Sequence, residues 1–252
     1  MSDERTILIT GAAAGLGRAT AEAFAERGAR LVLADRAGEV EDVARDLGAV
    51  ALRGDVTEPA HHKALVAKAV EVGGRLDVAI NNAGVAHPPM RIEQTPEQVA
   101  RMVVEIDLLG VMWAMQAQIP QMQAQFRDSG QGGVILNTAS IAGLVGAATL
   151  GAYGAAKHGV VGLTRAAAIE NARRGVRVNA ICPGFTRTAM TEAAISLGPD
   201  REAAEAELVR GVPMRRQGEP SEIVAAMIFA ADPANSFMTG QTIALDGGVT
   251  AY

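Results

Sequence analysis

The chain is short of several residue types, and each shortage excludes something. Of 252 residues only Cys182 is a cysteine. An internal disulfide or a paired-cysteine metal site is therefore impossible, and a reducing compartment is expected. Phe, Trp and Tyr together make up 3% of the chain, too few for a base-stacking platform or an aromatic cage. Lysine occurs only as Lys63, Lys68 and Lys157. There is no basic run, and 23 Lys+Arg against 28 Asp+Glu leave a formal charge of −5. Neither nucleic acid nor an acidic membrane surface is an expected partner. No Cys/His/Asp cluster has metal-ligand spacing, so no metal is expected.

Long hydrophobic runs are missing too. The uncharged stretch 132–156 has membrane length, but Asn137, Thr138, Ser140, Thr149 and several glycines interrupt it. It reads as a buried strand, a site loop and a helix start. Near the N-terminus, Ile7-Leu8-Ile9 is too short for a signal-peptide core and follows acidic residues. A cytoplasmic protein is expected.

What is present is 49% hydrophobic residues and 28 glycines, enough for one sizeable core and one domain over 1–252. Short apolar runs alternate with helical patterns. Strands are expected at Ile7–Thr10, Arg30–Asp35, Val50–Arg53, Leu76–Asn81, Gly133–Ala139, Val176–Ile181 and Thr242–Leu245. Most are continuously apolar, as in parallel strands covered on both faces. Helices are expected near 15–28, 38–47, 58–73, 96–127, 152–174 and 221–231. Thr95-Pro96-Glu97-Gln98 reads as a capping box with proline at the first helical position. This alternation gives an α/β fold, a doubly wound parallel seven-stranded sheet with helices on both faces. The least regular stretch, 185–213, follows a strand end and is expected to be a substrate lid.

Directly after the first strand comes Thr10-Gly11-Ala12-Ala13-Ala14-Gly15-Leu16-Gly17. Glycines there let backbone approach a pyrophosphate, and the helix N-terminus supplies amide donors. Asp35 ends the second strand, eighteen residues past Gly17. A carboxylate at that place accepts ribose hydroxyls and repels a 2′-phosphate by roughly 4 kcal/mol per charge pair at about 4 Å and effective dielectric near 20. NAD is the expected cofactor, with Arg36 as the opposing signal for NADP.

Further along stand Asn81-Asn82-Ala83-Gly84, then Ser140 thirteen residues before Tyr153, then Tyr153-Gly-Ala-Ala-Lys157. Pro183-Gly184 with Thr188 and Asp246-Gly247-Gly248 complete the set. In this order the chain resembles, over nearly its whole length, the short-chain dehydrogenase/reductase family, with its TGxxxGxG, NNAG, YxxxK, PGxxxT and DGG motifs. The resemblance implies a Rossmann-like fold and a homotetramer or homodimer. It implies a dinucleotide lying along Gly11, Ala14, Gly15, Leu16, Gly17, Asp35, Arg36, Asp55, Val56, Asn81, Ala83, Gly84, Pro183, Gly184, Phe185 and Thr188, and reaching Tyr153 and Lys157. Asp55 is expected at the adenine, Asn81 in support of the cofactor site and Thr188 at the nicotinamide amide.

The chemistry of the Tyr–Lys spacing is independent of the family. Four residues apart on a helix, Tyr153 and Lys157 share a face. A phenol titrates near about 10, and lowering it by about three units takes roughly 4 kcal/mol. One cation about 4 Å away, at effective dielectric near 20, supplies that much. Tyr153 is then the general acid/base for a secondary alcohol or its ketone, and Ser140 the hydrogen-bond partner of the reacting oxygen. One departure stands out. The family usually has Asn in an N-L-x-G pattern; here it is Asp107-Leu108-Leu109-Gly110. Asp107 is expected to mark the proton-relay position.

Expected substrate walls are Ser140, Ile141, Leu144, Val145, Tyr153, Phe185 and Met190, with lid residues Ala193, Ala194, Ile195 and Leu197. Arg91, Arg187 and Thr191 are candidates for polar selection. His61 and His62 are expected to be solvated, His158 to lie at a surface or interface, and His87 is a candidate for touching substrate. Helices 96–127 and 152–174 are apolar nearly all round, which asks for a second copy of the chain. The leading reading is an NAD-dependent secondary-alcohol dehydrogenase. Alternatives are an NADPH-dependent carbonyl or 3-oxoacyl carrier-protein reductase, a catalytically dead dinucleotide sensor, and a sugar-nucleotide epimerase.

Overall fold

The computed structural model describes residues 4–196 and 200–251, apart from the side chains of Ala193 and Ala194. Seven strands form one sheet: β1 (Thr6–Thr10), β2 (Arg30–Asp35), β3 (Val50–Arg53), β4 (Val78–Asn81), β5 (Gly133–Thr138), β6 (Val176–Pro183) and β7 (Thr242–Leu245). The order is β3-β2-β1-β4-β5-β6-β7, and all pairs are parallel. Helices α1 (Gly15–Ala25), α2 (Glu39–Asp46), α3 (Pro59–Gly73), α4 (Glu97–Val104), α5 (Gly110–Ser129), α6 (Gly151–Asn171) and α9 (Pro220–Ala231) surround it. Two short helices, α7 (Ala189–Ile195) and α8 (Arg201–Val209), make up much of the expected lid. Leu197 lies outside the described residues.

The continuous apolar strands have the physical reason expected of them. Alternate residues of β1 point to opposite sides: Leu8 joins a core with Leu65, Met115, Ile135, Val160 and Val178. Ile7 and Ile9 join another with Phe24, Leu33, Leu136, Ile181 and Met227. With helices over both faces, neither set of side chains meets water. The β1 strand pairs with β2 on one side and β4 on the other. The strand order therefore reverses there, and a crevice opens beyond the carboxyl ends of the strands.

One face also holds a chain of buried amides. Asn81 and Asn137 sit side by side in register on β4 and β5. Asn81 Nδ2 donates to Asn137 Oδ1 (2.9 Å) and Gln118 Oε1 (3.1 Å), and Gln118 Nε2 donates back to Asn81 Oδ1 (2.8 Å). Asn137 Nδ2 then donates to Thr164 Oγ1 (2.9 Å).

Three local expectations need correction. The helix expected over 96–127 is interrupted by a π turn at Glu105–Leu109, between α4 and α5. The capping box at Thr95–Gln98 does not form. Pro96 takes the cap position itself, with φ −62° and ψ 143°, and the Thr95 hydroxyl donates back to the Arg91 carbonyl. A capping box is found at α9, where Glu219 and Glu222 satisfy each other's backbone N–H and Pro220 opens the helix. Finally, His62 is buried rather than solvated. Its Nε2 lies 2.8 Å from the Val56 carbonyl, so this ring fastens α3 to the loop before it. His61 is half-buried, and His158 is exposed as expected.

Candidate active site

The crevice holds a cavity of about 350 Å³. Its floor is the glycine turn. Gly11 and Gly15 have φ of +67° and +55°, the left-handed region where a Cβ is penalised. Gly17 serves packing: a Cβ there would lie 2.0 Å from the Gly11 carbonyl oxygen, and Gly17 itself is buried and does not line the cavity. Helix α1 begins after Ala14 with no side-chain cap. Its first N–H groups are thus available to an anion. The loop after β4 is tied to this turn. Thr10 Oγ1 accepts from the Asn82 and Ala83 N–H groups (3.1 Å each), and Asn82 Nδ2 donates to the Thr10 and Gly11 carbonyls (3.1 and 3.3 Å).

Asp35 lines the crevice at the end of β2. Its carboxylate accepts the N–H of Ala13 (3.1 Å) and of Ala37 (3.0 Å), which fixes its direction. A smaller adjoining cavity of about 90 Å³ is lined by Asp35, Arg36, Asp55, Val56 and Ala83, among others. The backbone N–H of Thr57 is the main influence on Asp55; with the Thr57 hydroxyl and Arg36 it outweighs burial and holds the carboxyl below its ordinary range.

At the other end, α6 brings Tyr153 and Lys157 together. Lys157 Nζ lies 5.4 Å from the Tyr153 ring centroid. It donates to the Thr138 carbonyl (3.1 Å) and is ion-paired with Asp107 Oδ2 at 3.2 Å. Ser140 starts the turn after β5, and its Oγ accepts the Ala142 N–H (3.1 Å). Its own O–H therefore remains free to donate. Gly143 keeps that turn against α6: a Cβ there would lie 2.6 Å from the Lys157 carbonyl oxygen. Ser140, Tyr153, Lys157 and Asp107 all line the crevice. Burial opposes charge on Lys157, but Asp107 and Tyr153 outweigh it, leaving the ammonium titrating above the ordinary lysine value. Burial also pushes the Asp107 carboxyl up, against the pull of Lys157 and the Val85 N–H. The buried Cys182 thiol nearby is raised to about 11, mainly by desolvation.

Most expected cofactor residues reach the crevice: Gly11, Ala14, Gly15, Leu16, Ala83, Gly84, Pro183, Gly184 and Thr188. Asn81 does not, being committed to the amide chain; its neighbour Asn82 lines the cavity instead. Phe185 lines a separate cavity with Val212, Met214 and Asp246–Gly248. Ile141 and Val145 are not among the lining residues, whereas Met190 is. Thr138, Thr186 and Thr191 also line it. Thr191 is the one expected polar-selection candidate that reaches the lining; for Thr138 and Thr186 the signal in the sequence was only proximity to the ends of β5 and β6. His87 is buried with Nδ1 2.8 Å from the Pro88 carbonyl, away from the lining. Arg187 is held by Glu205 and Glu219. Among the described residues no group of three or more His, Cys, Asp or Glu is placed to hold a metal.

Comparison with known proteins agrees with this geometry. A family model described as enoyl-(acyl carrier protein) reductase matches residues 11–250. The chain is similar to cis-4-hydroxycyclohexanecarboxylate dehydrogenase of Sinomonas cyclohexanicum, at 40% identity over 98% of this chain and 97% of that one. Among solved structures it is similar to levodione reductase, at 36% identity and a TM-score of 0.93 over the full length of both chains. It is also similar to 3-ketoacyl-(acyl-carrier-protein) reductase from Brucella melitensis complexed with NADH, at 30% identity and a TM-score of 0.88 over 98% of each. The fold and the crevice define a nucleotide-binding oxidoreductase acting on alcohol and carbonyl groups. The chain belongs to the short-chain dehydrogenase/reductase family, whose cofactor is a nicotinamide dinucleotide. The residues present fit such a group: an uncapped helix N-terminus, a left-handed glycine turn and fixed carboxylates line one continuous cleft.

Proposed function

We propose that this protein is an NAD-dependent dehydrogenase that interconverts a neutral cyclic secondary alcohol and its ketone. The observation that carries the reading is the convergence of Ser140, Tyr153 and Lys157 at one end of the dinucleotide cleft. When bound, the nicotinamide supplies the hydride acceptor or donor. The chain supplies the rest. The Ser140 hydroxyl, free to donate, holds the substrate oxygen. Tyr153 Oη takes the alcohol proton in oxidation and returns it in reduction. The Lys157 ammonium stabilises the phenolate that results and is a donor for ribose hydroxyls.

Asp35 supports NAD over NADP, since its fixed carboxylate lines the cleft and would repel a 2′-phosphate held near it. Arg36 is exposed and lines only the smaller cavity, facing the Asp55 carboxylate. The relative at 40% identity acts on a ring carrying both a hydroxyl and a carboxylate. Among the described lining residues of this crevice, the one cation is Lys157, already paired with Asp107. That favours an uncharged ring. The outer sides of α4, α5 and α6, with Met102 and Ile169 exposed, support assembly into two or four copies.

The test is a panel of cyclohexanols, open-chain alcohols and 3-ketoacyl thioesters with NAD and NADP, following cofactor absorbance. Cyclic alcohols with NAD are expected to lead, and Tyr153→Phe to lose turnover by about 10²–10⁴-fold while keeping NAD binding. Preference for NADPH and ketoacyl thioesters would favour the reductase reading. Full turnover in Tyr153→Phe would overturn the catalytic assignment.

A further inference from the structure

The residue at 107 departs from its family's usual Asn, and the structure gives the departure a physical content. Asp107 lies in the π turn and is fully buried. That turn aims its side chain at the crevice between Gly84 and Lys157. Oδ1 accepts the Val85 N–H at 2.8 Å. Oδ2 makes no aligned hydrogen bond, but stands 3.2 Å from Lys157 Nζ. Gly84 closes over the pair: a Cβ there would lie 3.3 Å from Nζ and 3.4 Å from both carboxylate oxygens. A carboxylate with one backbone donor and one cation, shielded from water, is a fixed counter-ion.

We propose that Asp107 is a positioning residue for proton transfer: its carboxylate pins Lys157 as the ammonium and sets the pH at which Tyr153 ionises. The proposal rests on the reading of Tyr153 as the general base. The charged and titratable groups acting on this pair, among the described residues, are few. Tyr153 lies on α6 with Lys157, and Cys182 lies on β6. From the loop after β4 comes only the Val85 N–H, and from the end of β5 only the Thr138 carbonyl. The thiol stays protonated over the working range. Asp107 is thus the one negative charge placed to offset Lys157.

The sign of its effect follows from electrostatics alone. A negative charge beside a pair of proton-binding groups makes every proton on the pair harder to lose. With Asp107 in place, Lys157 keeps its proton and Tyr153 is the group that gives one up. It does so at higher pH than it would beside a neutral amide. An enzyme built this way gains base strength in its phenolate and loses oxidation rate at low pH.

Asp107→Asn keeps the shape and the acceptor for Val85 and removes only the charge. The chain has two tyrosines, so a Tyr252→Phe background leaves Tyr153 as the sole phenol. Ultraviolet titration of the cofactor-free protein then reports its ionisation directly. In Asp107→Asn that midpoint is expected to fall by about one pH unit. The acid limb of kcat/KM for alcohol oxidation is expected to move down with it. Cofactor Kd serves as the check that the variant is folded, and Asp107→Ser is the second variant, expected to shift in the same direction. Midpoints that stay or rise would overturn the proposal while leaving the Tyr153 assignment intact. Loss of that assignment shows separately, as turnover retained in Tyr153→Phe.

Discussion

Gly17→Ala offers a sharp test of how the cofactor turn is held. The added methyl would lie 2.0 Å from the Gly11 carbonyl oxygen and 2.6 Å from Asn82 Nδ2. Carbon contacts are comfortable only beyond about 3.5 Å, so the turn must retreat by more than an ångström. It cannot do so alone. Asn82 Nδ2 donates to the Thr10 and Gly11 carbonyls, and those two bonds contribute about 1 kcal/mol each. Overpacking adds about 1–3 kcal/mol. The expected loss is therefore about 3–5 kcal/mol. Gly15→Ala is the matched control. A Cβ at Gly15 meets nothing within 4 Å, but φ is +55°, so only the left-handed penalty of about 1–2 kcal/mol applies. Urea denaturation of the two cofactor-free variants, side by side with the parent, measures the difference. If Gly17→Ala unfolds no more easily than Gly15→Ala, close approach is not what makes position 17 a glycine.

Other outcomes follow from the same geometry. Asp35→Ser is expected to shift the ratio of catalytic efficiencies toward NADP, because it removes the carboxylate and leaves Arg36 beside the cleft; an unchanged ratio would count against the charge argument. Glu222 is bonded to Arg216 by both oxygens and to the Glu219 N–H, which lowers its pKa from 4.5 to about 2. A depressed carboxyl stabilises the fold above its unfolded value and ceases to as pH falls through its folded one. The gap in Tm between parent and Glu222→Gln should therefore be full near neutrality and close between pH 4.5 and about 2. A gap independent of pH would assign the pair no role. Light scattering at micromolar concentration should give two or four chains per particle, and a monodisperse monomer would refute the reading of the apolar outer faces.

The sheet was legible because most strands are apolar on both sides and alternate with helical patterns. Its endpoints shifted only slightly: β6 runs two residues further, to Pro183. The glycine turn was legible because positive φ and close approach leave so few alternatives. The alignment of Ser140 with Tyr153 and Lys157 came from motif spacing. What the sequence did not carry was geometry that costs no change in composition. A π turn adds one residue to a helical circuit and leaves no compositional mark, so Asp107 was placed near the relay but not against Lys157. At Thr95–Gln98 the capping pattern is complete in letters, yet Pro96 occupies the cap and the hydroxyl turns backward. At the end of β4, two adjacent asparagines look alike in sequence. The alternation of the strand sends Asn81 into the core and Asn82 toward the cleft. Phe185 likewise sits one residue from cleft-lining Gly184 and Thr186, but faces the other cavity.

The buried amides of Asn81, Gln118 and Asn137, with the Thr164 hydroxyl at their end, bear on more than stability. Apolar surfaces tolerate sliding, since one methyl group is much like the next. Directional bonds do not: a helix displaced by one turn would leave several amide groups without partners, at about 1–3 kcal/mol for each. Gln118 on α5 and Thr164 on α6 therefore act as index pins, each admitting one angular and axial setting against the sheet. The alignment of Tyr153 and Lys157 over the ends of β4 and β5 is inherited from those pins, more than ten ångströms of helix away from the chemistry they serve.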